Sequence, residues 1–149
     1  ARPIWPLKNI LLILPDSKIK SDLAVSWTEK IAQPAKGKVT VMPLLPSVPL
    51  MYGSFLQYSI DEILAGHDQL GGKLRQIADR FTGMGIPGVY KLRDGDPEIQ
   101  IRDEIVSSQT DMIIMPSCFR SECTTWLNAD LQGMLHKTLA IPMLLTYEN

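Results

Sequence analysis

Residues Lys8–Leu14 end in five consecutive aliphatic side chains, Ile10-Leu11-Leu12-Ile13-Leu14, and the run stops at Pro15-Asp16-Ser17. A strand with one wet face alternates apolar and polar residues. A strand without alternation must be covered on both faces, which is the condition of a central strand in a parallel sheet. Parallel strands cannot be joined by tight hairpins, so a helix is required between successive strands.

The remainder of the chain supplies those crossovers. Ser21 or Asp22 can cap a helix to about Ala35, with Ala24, Trp27 or Thr28, Ile31 and Ala35 inward and Gly37 at its exit. Val39–Leu45 reads as a second strand. An apolar, proline-rich loop from Pro46 to Gly53 follows, then a long helical stretch from about Phe55 to Thr82. Gly66, Gly71 and Gly72 weaken that helix, enough to allow a kink or break there. Gly88–Arg93 reads as a third strand. Asp96-Pro97 opens a helix whose inner face is read as Ile101, Ile105 and Ser108. Met112–Met115 is a fourth strand, Trp126 to Leu139 a last helix, and Pro142–Tyr147 a fifth strand. The alternation βαβαβαβαβ predicts one domain over residues 1–149: a three-layer α/β/α sandwich with a five-stranded, mainly parallel, Rossmann-like sheet. Strand order does not follow from the pattern. Ligands of such sheets sit beyond the carboxyl ends of the strands where the winding reverses, and the loops after Leu14 and Met115 are the candidate crevice.

Composition excludes several function classes. A net charge of −1 and no basic run give nucleic acid nothing to grip. The apolar runs are far shorter than the roughly 20 residues of a membrane span, so no direct membrane insertion is expected, and Arg2-Pro3-Ile4-Trp5-Pro6 does not read as a secretory leader. Two cysteines, Cys118 and Cys123, make no disulfide framework and suit a reducing, cytoplasmic compartment. They could be a redox pair or a nucleophile, but no histidine stands near them in sequence, since His67 and His136 fall in separate helices. Two small residues in a loop is the simpler reading. Nor does Cys-x4-Cys with scattered histidines match a compact metal site. No metal site and no catalytic residue is expected, and the chain is read as not an enzyme.

In order along the chain, these residues resemble the universal stress protein family. The resemblance rests on a first strand ending at Asp16, on Gly95-Asp96-Pro97 before the third helix, on Thr110-Asp111 leading into Met112–Ser117, and on Ile141-Pro142 before the last strand. It implies an adenine-nucleotide-hydrolase-like fold, and in ATP-binding relatives a glycine motif after the fourth strand. Here the four motif positions hold Pro116, Phe119, Ala129 and Asp130. Proline removes a backbone donor, phenylalanine resists positive φ, and the aspartate repels phosphate. Only Asp16, Ser117 and Arg120 survive of the residues that would meet a nucleotide.

The resemblance therefore implies a regulatory, interaction and dimerisation module with no cofactor. The alternative is an ATP or adenine-nucleotide sensor using Asp16, Ser117 and Arg120. The family's habit of pairing through its last strand implies a homodimer through Met143, Leu144, Leu145 and Tyr147. Residues 1–7, extended by their prolines, read as a linker, and relatives of this fold occur as cytosolic tails of membrane transporters. That origin is the expectation for Trp5. The loop Pro46–Gly53 either folds over the crevice or presents an apolar patch to a partner.

Overall fold

A computed structural model describes residues 7–14, 21–43, 68–91, 97–116 and 141–146. These form β1 (Asn9–Leu14), α1 (Asp22–Ala35), β2 (Lys38–Pro43), α2 (Asp68–Gly83), β3 (Gly88–Tyr90), α3 (Pro97–Ser108), β4 (Met112–Pro116) and β5 (Met143–Thr146). The expected early part of the second helix, the last helix over 126–139, the loop Pro46–Gly53, residues 1–6 and both cysteines lie outside the described residues.

The five strands form one sheet in the order β3-β2-β1-β4-β5, and every neighbouring pair is parallel. The register aligns Asn9 with Lys38 and Leu14 with Pro43 on one side of β1, and Ile10 with Met112 on the other. Two crossovers run from the centre toward β3 and two return past β1 toward β5. Right-handed connections then place α1 and α2 on one face and α3 on the other.

The two core clusters show that division. Ile10, Leu12, Leu14, Val39, Val41 and Ile114 pack with Ala24, Val25 and Ala32 of α1 and with Leu74, Ile77 and Phe81 of α2. Leu11, Ile13, Met42, Ile113 and Met115 pack with Ile101 of α3. Alternate residues of one unbroken aliphatic run thus serve two cores, as the sequence of β1 requires. Each such side chain contributes about 1.5–3 kcal/mol by leaving water.

Several local readings change. Between Trp27 and Thr28, α1 buries Thr28, whose hydroxyl donates to the Ala24 carbonyl at 2.7 Å, and leaves Trp27 42% exposed. The helix is terminated by Lys36 in the left-handed region (φ 53°), not by Gly37. Gly37 is needed for a different reason: a Cβ there would stand 2.5 Å from the Leu7 carbonyl oxygen. α2 runs unbroken through Gly71 and Gly72, because Leu74, Ile77 and Phe81 anchor it on the sheet and tertiary packing outweighs the glycine cost. β3 is shorter than Gly88–Arg93, ending at Tyr90 as an edge strand. On α3, Ile101 is buried as expected, but Gln100 and Glu104 join it, while Ile105 and Ser108 are half-buried.

At the amino end of the sheet, the Asp111 carboxylate accepts from the backbone N–H of Lys8 at 3.0 Å and of Asn9 at 2.9 Å. Asp111 N–H in turn donates to the Asn9 carbonyl at 2.7 Å. This aspartate therefore holds the β1–β4 register at the end of the sheet opposite the crevice. Asp111→Ala leaves two backbone donors with only water and should destabilise the fold by about 2–3 kcal/mol. Chemical denaturation checks this; an unchanged midpoint would mean those contacts do no net stabilising.

Candidate functional site

The strand order puts the reversal of winding between β1 and β4, which are adjacent at the sheet centre. This is where the loops after the first and fourth strands were expected to meet. Pairing of β1 with β4 stops at Leu12–Ile114, although both strands run two residues further, whereas β1 stays paired with β2 up to Leu14–Pro43. The two central strands therefore part at their carboxyl ends, opening the sheet at the switch point.

The chemistry of the rim comes from the residues that end the strands. β2 ends in Pro43 and β4 in Pro116, both buried, and in the sequence Pro15 directly follows Leu14. Proline has no N–H to offer. Anion sites at such switch points are built from backbone N–H groups and a helix start, and this rim has lost donors on the strands on either side of β1. Pro116 is the one degenerate motif position among the described residues, where it is an integral strand residue aligned with Thr146 of β5. The Thr146 hydroxyl beside it is buried and has no hydrogen-bond partner. Asp16, Ser117, Arg120, Phe119, Ala129 and Asp130 lie outside the described residues.

Sequence reasoning missed two buried carboxylates. Glu104 of α3 is fully buried under the sheet's second face; its Oε2 accepts from Lys91 Nζ at 3.0 Å and from the Ser108 hydroxyl. Glu29 of α1 is buried on the first face, and its Oε1 binds Arg80 Nη2 of α2 at 2.6 Å, leaving Oε2 without a partner. The Glu104 signal was present in the helical spacing, since 104 shares the stripe of 100, 101 and 108. Among the described residues no three acidic, cysteine or histidine side chains converge to hold a metal. The half-buried Tyr90 hydroxyl is pushed up to about 12 by burial and then by Asp79, so it stays protonated near neutral pH.

A parallel sheet ordered 3-2-1-4-5, with its winding reversed between the first and fourth strands, is a doubly wound α/β domain. No family model matches the chain, and no curated protein matches it in sequence. Solved structures narrow the class to one fold, that of the universal stress proteins. One from Burkholderia pseudomallei is 15% identical over 94% of this chain and 96% of its own, with a TM-score of 0.62. A universal stress family protein from Arabidopsis thaliana with AMP bound is 16% identical, covering 95% and 92%, at 0.60. One from Archaeoglobus fulgidus in complex with dAMP is 14% identical, covering 94% and 98%, at 0.60. The chain thus has the universal stress protein fold over nearly its whole length. No described helix is long and apolar enough to cross a membrane.

Proposed function

We propose that this chain is a non-catalytic regulatory and interaction domain that works as a homodimer paired through β5 and does not depend on bound ATP. The observation that carries the reading is the contrast between the two edges of the sheet. The β3 edge is three residues long, includes Gly88, and is followed directly by Lys91, whose side chain turns inward to Glu104. Short length and an inward charge are devices that discourage edge-to-edge association. The β5 edge is one residue longer and carries no charge among the described residues. Met143, Leu144 and Leu145 are uncharged and only half-buried, and β5 pairs with β4 on one side alone among the described residues. The N–H and C=O groups of its other side, unpaired among the described residues, suit a second strand of the same kind.

The donor-poor rim formed by Pro43 and Pro116 supports the other half of the reading, since a triphosphate would find few backbone N–H groups there. Attachment to the cytosolic side of a membrane transporter belongs to the same proposal, and a block of membrane-spanning helices in the full-length gene product would bear it out. A second reading is an adenine-nucleotide sensor. It is favoured by the parted ends of β1 and β4 and by the fold's likeness to proteins that carry AMP and dAMP; Asp16, Ser117 and Arg120 would then do the binding. Sedimentation equilibrium of the purified chain tests the main proposal. A dimer at micromolar concentration is expected, and a monomer throughout would refute β5 pairing.

A further inference from the structure

The first face of the sheet carries a feature that strand pairing alone does not use. One flank of α1 is turned to α2: Glu29 binds Arg80, and Gln33 Nε2, one turn on, donates to the Met84 carbonyl at 3.2 Å. The opposite flank carries Trp27 and Ile31, also one turn apart. Because α2 contacts β3 and the order is β3-β2-β1-β4-β5, the flank turned away from α2 overhangs the β5 side. α1 sits over β1 and β4 and reaches both β2 and β5, and Ile31 and Leu144 both pack against the first-face core. Trp27 is 42% exposed, and Lys30 Nζ sits 5.2 Å from its ring centroid.

Resting on the β5 pairing proposed above, we infer that Trp27 is part of the same self-association surface, the two copies placing their Trp27 indoles in the groove above the paired β5 strands. The spacing argues for this occupant. Strands lie about 4.8 Å apart. With α1 over β1 and β4, the two α1 axes of a two-fold pair would stand roughly 20 Å apart on that spacing. Packed helices need only 8–10 Å between axes, so strand pairing by itself leaves, among the described residues, a channel about 10 Å wide floored by Leu144 from both copies. An indole from each side fills a gap of that width, and the surface is continuous: Leu144, Ile31, Trp27. The Lys30 ammonium lies over one face of the ring. Tryptophan in a desolvated centre, ringed by polar groups, is the commonest kind of binding hot spot.

Sedimentation of Trp27→Ala, Trp27→Phe and Leu145→Lys separates this inference from the reading it rests on. Trp27→Ala should weaken dimerisation about tenfold or more, Trp27→Phe should recover most of it, and Leu145→Lys should yield monomers. If Trp27→Ala dimerises as tightly as the parent while Leu145→Lys does not, the Trp27 inference fails and β5 pairing stands. A parent chain that is monomeric throughout overturns both. Hydroxyl-radical footprinting of the unaltered chain gives a measurement independent of any substitution. Trp27 should be protected above the dimer dissociation range and labelled below it, and equal labelling at both concentrations overturns the inference.

Discussion

Lys91→Met should destabilise the domain by about 3–5 kcal/mol, because it removes the Lys91 cation from the fully buried Glu104. For a chain of this size that is a fall in Tm on the order of 10 °C. The Lys91 side chain keeps 26% of its surface exposed, whereas Glu104 keeps none. The cost is therefore asymmetric. Glu104→Leu strands a lysine that can still reach water, so it should be the milder single change. Combining Lys91→Met with Glu104→Leu replaces the pair by apolar groups of similar volume and should recover much of the loss. The Ser108 hydroxyl, deprived of its acceptor, limits that recovery. Thermal unfolding of the four proteins completes a double-mutant cycle. If both single variants match the parent, the pair does not hold α3 to the sheet.

Leu145→Lys should weaken self-association roughly 100-fold. Leu145 lies on β5, an edge strand among the described residues, half-buried against the second-face core. Paired about a two-fold axis, the two copies would bring two lysines close together. Like charges at about 4 Å cost 1–4 kcal/mol in water-like to surface-like surroundings, and part of the 1.5–3 kcal/mol from burying each leucine is lost as well. A sum near 3 kcal/mol is about 100-fold in dissociation constant. The lysine stem can lie along the apolar surface with its ammonium in water, so the monomer should keep its circular dichroism. Loss of the dimer with the fold intact is the expected result; an unchanged dimer would place the interface elsewhere.

How far the sequence could be read depended on how strongly each element was constrained. β1, β2 and β4 are covered on both faces, and their largely apolar runs located them to within a residue or two at each described end. β3 is an edge strand, half-exposed, so its pattern was weak and its carboxyl end was overextended. The order 3-2-1-4-5 depends on which strands meet in space, which no local pattern encodes, yet the reversal between β1 and β4 fell at the loops expected to form the crevice. The buried charges were missed because charged residues on helices are ordinarily solvated. Glu104 and Glu29 escape that rule only through Lys91 and Arg80, partners 13 and 51 residues away in sequence. Of the candidate site, Pro116 was legible as a lost donor. Its place inside the strand was visible only once β5 was paired beside it.

Titration calorimetry of the purified domain with Mg-ATP, with assay of any nucleotide released on denaturation, most directly tests whether this domain works through its surfaces and not through a bound nucleotide. The rim formed by Pro43 and Pro116 predicts no heat of binding and no co-purified nucleotide. Micromolar binding, or an adenine nucleotide carried through purification, would contradict that account and make the chain a nucleotide sensor.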